Sequence, residues 1–135
     1  MKNGFNFSYD ESLGAVVMEW NGYFTSEQFR LGTEFMLEML KQHKANKVLA
    51  LIQDMVLIGM EDQQWLEKEF LPRAIDAGFK ACAMLTPKHY FNKVAVENVT
   101  YKIDQQKLRV SLFNTEEDAR NWLRSFQIEN SFSEN

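Results

Sequence analysis

Alternating apolar and polar positions open the chain. Phe5, Phe7 and Tyr9 alternate with polar residues, which is the period-two pattern of a half-buried strand. Turn residues over 10–14 separate this run from a second apolar run over 15–20. The pattern therefore predicts a β-hairpin at the start of the domain.

A helix and then a buried strand follow the hairpin. Thr25 can cap a helix, and Gln28, three residues later, can reach back to complete a capping box. The segment 47–54 is a continuous apolar run, as in strands that are buried on both faces. We therefore place that strand at the centre of a sheet.

Pro72 complicates a second helix, predicted over 62–77. Its ring disfavours helical geometry at the preceding residue and removes a backbone donor, so we expect a kink or two short helices there. Gly78 suits a left-handed helix end, and the run 79–85 predicts another buried strand.

The remaining elements carry mixed patterns. The segment 92–105 combines β-branched residues with helical spacing, and we predict a helix. Alternation over 108–112 predicts an exposed or edge strand, and Thr115 with Asp118 opens a final helix. We expect one domain over 1–128 and a disordered polar tail over 129–135.

The predicted order is ββαβαβαβα. Strands that alternate with helices after a hairpin indicate a single-domain α/β fold with a mixed, mostly parallel sheet of about five strands. Apolar residues are 45% and charged residues 25% of the 135, which suits one globular domain.

Charge and cysteine usage exclude several classes of partner. A net charge of -4 without a basic cluster gives no electrostatic basis for binding nucleic acid or an anionic membrane, so we expect neither partner. Cys82 is the single cysteine, and no run is long enough to span a membrane or to act as a signal peptide. We expect a cytoplasmic protein.

Three passages resemble a known family. KVLALIQD, WLEKEFLPRAIDAGFKACAML and FNTEEDARNWL, in this order of elements, resemble the STAS-like family, more narrowly its bacterial sporulation anti-anti-sigma-like branch, whose fold is similar to CRAL-TRIO domains. The resemblance implies a regulatory binding domain. The family's antagonists carry a phosphorylatable serine after the central strand, but the segment 54–65 contains no Ser or Thr, so we expect no such switch here.

The sequence gives only weak support for a catalytic site. Cys82 with His89 or His43, oriented by Asp54, supplies the residue types of a thiol nucleophile and base, but a cysteine in a buried strand is expected to be inert. The His and Cys residues also lack the spacing of zinc ligands. We therefore expect no catalytic residue, no metal and no cofactor.

Acidic residues gather after the central strand. Asp54, Glu61 and Asp62 could bind magnesium or a cationic group at the edge where parallel sheets hold ligands. We favour ordinary structural roles, with Asp62 as a helix N-cap and Asp54 at the end of the strand.

The sharper candidate is an apolar surface from two loops that follow neighbouring strands. Apolar residues and aromatics there suit a ligand pocket or a protein interface, whereas burial under the protein's own helices is the alternative. The apolar loop residues must in any case be covered by something. The candidate surface consists of Asp54, Met55, Val56, Leu57, Ile58, Met60, Lys88, His89, Tyr90 and Phe91.

Two functions remain open for a protein that we expect not to be an enzyme. The first is a regulatory module that binds a protein partner or a second copy of itself. The alternative is a carrier or sensor of a small apolar, lipid-like ligand. A carrier requires an enclosed apolar pocket of several hundred cubic ångströms, whereas an interaction module requires an exposed patch over a packed interior.

Overall fold

Five strands form one sheet in which spatial order follows chain order. The computed structural model describes the backbone of residues 4–133 and the side-chain burial of residues 4–126. The strands are β1 Gly4–Asp10, β2 Ala15–Asn21, β3 Lys47–Leu51, β4 Ala81–Leu85 and β5 Arg109–Phe113. The helices are α1 Ser26–His43, α2 Met60–Trp65, a π-helical turn Leu66–Phe70, α3 Leu71–Asp76, α4 Tyr90–Tyr101 and α5 Glu116–Ser133.

The sheet is mixed and mostly parallel, which confirms the predicted fold class. β1 and β2 pair antiparallel as a hairpin, and each later strand joins its predecessor in parallel. β3 lies at the centre, where Val48, Leu49 and Ala50 have no exposed surface. Its continuous apolar sequence fits a strand with both faces covered.

Helices cover the two faces of the sheet unequally. The connections from β2 to β5 all advance in one direction across the sheet, and right-handed crossovers therefore place their helices on one face. Val48 and Ala50 belong to the core on that face, while Leu49 points to the other face and packs in the cluster with Ala119 and Leu123 of α5. We call these the crossover face and the α5 face.

The second helical segment is divided into two short helices, as the position of Pro72 predicts, and a π-helical turn that was not predicted joins them. Pro72 lies in the first turn of α3 and has no N–H with which to continue the α-helical ladder. The N–H of Leu71 donates instead to the carbonyl of Leu66, five residues earlier. Gly78 follows α3 with φ +108°, which confirms the expected helix end.

Several predicted boundaries are confirmed with small shifts. The capping box is present, because the Gln28 N–H donates to Thr25 Oγ1 and the Thr25 N–H donates to Gln28 Oε1. The segment 92–105, whose pattern was mixed, is helical as predicted, but α4 begins two residues earlier and ends four residues earlier than predicted. No helix of the described residues is long and apolar enough to cross a membrane.

The final helix differs from the expected end of the domain. α5 continues to Ser133 and so extends into the segment 129–135, for which the sequence predicts a disordered tail. Residues 134 and 135 lie outside the described part of the chain. The disorder of the tail stays a prediction.

Candidate functional site

The two loops of the candidate surface meet at one edge of the sheet, as parallel neighbouring strands require. The Lys88 N–H donates to the carbonyl of Gln53 at 3.0 Å, which joins the loop after β4 to the loop after β3. Lys88 Nζ also lies 3.4 Å from Asp54 Oδ1. Both ionic side chains are at least half exposed, so this pair contributes little to stability.

A buried amide fixes the inner side of this edge. Asn92 has no exposed surface, its Oδ1 accepts from the N–H of Ile58 at 3.0 Å, and its Nδ2 donates to the carbonyl of Met55 at 3.2 Å. The loop's backbone groups are thereby satisfied although part of the loop is buried. Asn92 was not among the predicted site residues, although the sequence carried one signal, an amide among the apolar positions of α4.

The candidate surface divides into a buried and an exposed half. Met55 and Ile58 are buried, and Val56 is half-buried. Leu57 is 37% exposed and Met60 71% exposed, so the expectation that the whole apolar loop is covered is wrong for these two. The other exposed members are Asp54, Lys88, His89, Tyr90 and Phe91.

A cavity lies between the crossover face of the sheet and its helices. The space that the centre of a water molecule can occupy there is about 110 Å³. Ile58 is the single member of the candidate surface in its lining. The lining consists of Met18, Trp20, Phe29, Thr33, Met36, Ala50, Ile52, Ile58, Leu66, Phe70, Leu71, Phe79, Cys82, Met84, Val96, Val99, Thr100, Ile103, Leu108 and Val110.

The cavity offers almost no polar group to an occupant. Thr33 Oγ1 already donates to the carbonyl of Phe29 at 2.7 Å, inside its own helix. Cys82 contributes a thiol, and burial raises the pKa of this thiol to about 12, so it is present as S–H. A space of this size without polar partners does not retain water and suits an apolar occupant.

Small residues on the sheet leave room for the cavity. Ala50 and Cys82 lie on neighbouring strands and line its floor, while α1 and α4 span it from above with larger side chains. The apolar sequences of these strands predicted their burial but not the cavity, because the shape of the cavity depends on how far the helices lie from the sheet.

The acidic residues after β3 have structural partners. Asp62 is buried, and its Oδ1 accepts from Ser26 Oγ at 2.6 Å and from Arg30 Nε at 2.9 Å. The prediction that Asp62 is an N-cap is wrong, because α2 begins earlier and Gly59 occupies that position. Glu61 is exposed. Residues 4–126 contain no group of three or more His, Cys, Asp or Glu side chains able to hold a metal ion.

The candidate thiol and imidazoles have separate surroundings. Cys82 is buried in β4, His43 stacks on the ring of Tyr9 with centroids 4.0 Å apart, and His89 is exposed just before α4. The raised pKa of the Cys82 thiol, caused by burial, is opposite to the shift that activates a nucleophile.

Comparison with known proteins identifies the fold. No protein-family model and no curated protein sequence matches the chain. Among solved structures, the chain is similar to the NMR structure of the protein TM1081, with a TM-score of 0.61 and 14% sequence identity over 92% of this chain and 91% of that chain. At this identity the likeness shows a shared fold alone.

Proposed function

We propose that this domain is a non-enzymatic binding module that holds a small apolar molecule in the cavity on its crossover face. The observation that carries the proposal is the cavity itself, whose accessible lining is almost entirely apolar and which lies between the sheet and α1, the π-helical turn and α4. Protein interiors are otherwise packed nearly as densely as organic crystals.

The size of the cavity limits the ligand. An apolar cavity of about 150 Å³ in another protein binds benzene, so 110 Å³ suits a small ring or a short aliphatic segment. The volume is below the several hundred cubic ångströms of a carrier for larger ligands. The ligand is therefore small, or only part of it is buried.

The energetic reason for binding is the cost of the empty space. At about 24 cal/mol per Å³ for enclosed cavities, an unfilled space of this volume costs at most roughly 2–3 kcal/mol of stability. An apolar occupant recovers part of that cost through dispersion contacts with the lining.

Thermal unfolding with and without benzene tests the proposal. Benzene should raise the Tm of the wild type, because a ligand of the native state stabilises it by mass action. Ala50→Leu, which places three more carbons in the cavity, should abolish the increase. The matched control is Met60→Gln at the exposed first residue of α2, which should keep the full increase. An unchanged wild-type Tm at saturating benzene rejects the proposal.

A second candidate function uses the exposed half of the candidate surface. Four large side chains, between 37% and 73% exposed, lie on the loop after β3 and on the first residues of α2 and α4, at one edge of the sheet: Leu57, Met60, Tyr90 and Phe91. Aromatics and Met at the surface favour protein interfaces. We propose a protein partner or a second copy of the chain as the occupant, and STAS-like membership remains part of this proposal.

Native mass spectrometry separates the two candidates. A co-purified small molecule on a monomer supports the cavity function. If the protein is a dimer, and if the double variant Met60→Gln with Phe91→Gln is a monomer, the result supports self-association through the exposed half of the candidate surface. Cytoplasmic location stays a prediction.

A further inference from the structure

A second, outer space adjoins the cavity. It is a cleft of about 120 Å³ between α3 and the end of α4. Its apolar walls include Pro72 and Ile75, and its charged residues are Glu67, Lys102 and Asp104. The cleft is therefore amphipathic, whereas the cavity is apolar.

The cavity and the cleft share three side chains. Leu71, Val99 and Ile103 line both spaces, and each is half-buried. Rotation of these three side chains would join the two spaces and roughly double the volume available to one ligand. Such rotations need no change in the backbone and occur on fast timescales.

We infer that the cavity is filled through this cleft, and that its ligand is a single-chain amphiphile with its apolar chain in the cavity and an uncharged or cationic polar end in the cleft. The inference rests on the proposed function and deepens it. The π-helical turn agrees with it, since Leu66 and Phe70 of this turn line the cavity while Glu67 of the same turn lines the cleft. π-helical turns recur at functional sites.

The charges of the cleft select the polar end. Lys102 Nζ lies 3.3 Å from Glu67 Oε2, so its ammonium is already paired. Asp104 adds a second carboxylate, and its Oδ1 accepts from the N–H of Gln106 at 3.0 Å. Two carboxylates against one ammonium repel an anionic end and favour a hydroxyl or an amine. The groups are partly exposed, so the preference should be modest and sensitive to salt.

Affinities of three eight-carbon chains test the ligand class. We expect octylamine and octanol to bind about threefold or more tightly than octanoate at low salt, as for weak ionic effects near a surface. The difference should shrink in Glu67→Gln with Asp104→Asn. Tighter binding of octanoate overturns the assignment of the polar end. If benzene binds but none of the chains does, the inference fails while the proposed function stands; if benzene also fails, the proposed function fails.

Cys82 offers an internal test of the route, because its thiol lines the cavity and lies away from the cleft. The probe is methyl methanethiolsulfonate, a small uncharged reagent that transfers its CH₃S group to the thiolate and releases methanesulfinate. Leu71→Ala and Val99→Ala should each increase the modification rate several-fold. Ile75→Ala changes the cleft but none of the three side chains shared with the cavity, so it should leave the modification rate unchanged.

Destabilisation alone can expose a buried thiol through unfolding. Leu123→Ala on the α5 face therefore serves as a second control, compared at denaturant concentrations that equalise the free energies of unfolding. A modification rate in Leu71→Ala that exceeds the rate in Leu123→Ala supports the route. Equal rates overturn it.

Discussion

The two faces of the sheet bury apolar residues in different ways. On the α5 face, Ala81, Ala83 and Ala119 have no exposed surface, and small side chains of this kind let a helix lie close to the strands. On the crossover face, aromatic rings such as Trp20 and Phe70 pack around a cavity of about 110 Å³. One face is built for contact with a single helix, and the other face leaves space that a ligand can fill.

The largest expected effect is the loss of a large side chain from the α5 face. Leu123 has no exposed surface, whereas Trp122 and Phe126 of the same helix pack against the cluster only partly buried. Leu123→Ala should lower the free energy of unfolding by about 2–5 kcal/mol. Denaturant unfolding monitored by circular dichroism measures it. A loss below about 1 kcal/mol would contradict tight packing of this face.

The same substitution on the two faces should separate them directly. Ala83→Leu enlarges a residue under α5 and should cost about 1–3 kcal/mol by overpacking. Ala50→Leu enlarges a residue on the cavity floor and should cost under about 1 kcal/mol, or stabilise, because the added carbons enter existing space. Equal costs in equilibrium unfolding would remove the distinction between the faces.

Lys47 and Cys82 are buried on opposite faces of the sheet, and they have opposite effects on stability as the pH rises. On the α5 face, burial lowers the pKa of Lys47 from 10.5 to about 8, and its Nζ donates to the carbonyl of Leu123. Between pH 8 and 10.5 the unfolded chain holds this proton and the native state does not, so stability rises with pH by up to about 1.4 kcal/mol per unit.

On the crossover face, the buried group makes stability fall as the pH rises. Burial raises the pKa of Cys82 from 9.0 to about 12, so between pH 9 and 12 the native state holds a proton that the unfolded chain has lost. This lowers stability as the pH rises, again by up to about 1.4 kcal/mol per unit. Between pH 8 and 9 only Lys47 contributes, so the free energy of unfolding should rise. Between pH 9 and about 10.5 the two contributions should cancel. Above pH 10.5 only Cys82 contributes, so the free energy of unfolding should fall.

Denaturant unfolding at a series of pH values checks both contributions. Lys47→Met should remove the rise between pH 8 and 9, and Cys82→Ala should remove the fall above pH 10.5. Persistence of either feature in its own variant would show that another group causes it.

The smallest effect on stability is expected at the exposed first residue of α2. Met60 is 71% exposed, so Met60→Gln should change the free energy of unfolding by less than about 0.5 kcal/mol. Its effect should appear in self-association, measured by sedimentation velocity, if the exposed half of the candidate surface is an interface. If the free energy of unfolding of the monomer fell by more than about 1 kcal/mol, this side chain would have to pack into the core.

Much of the fold was accessible from local patterns, because periodicity, caps and Pro72 act within a few residues. Thr25 and Gln28 show this, since their capping box is present as predicted. The candidate site was less accessible. Sequence order placed the two loops at one edge, but it did not predict that Asn92 would bind the buried half, or that the cavity would lie deeper, beneath α4.

Those features depend on distances between elements far apart in the chain. The helical spacing of α4 identifies its apolar positions but not the gap that separates it from Ala50 and Cys82. The role assigned to Asp62 was wrong for the same reason, because its partners Ser26 and Arg30 belong to a different helix.

The most direct test of the account is a methyl NMR titration of the whole chain with benzene. Saturable shifts should be confined to cavity-lining methyls such as those of Ile52, Ile58 and Val96, while Leu123 on the α5 face and Leu57 on the exposed loop stay unchanged. No shift at the lining methyls, or shifts centred on Leu57, would contradict the claim that the crossover face holds the ligand.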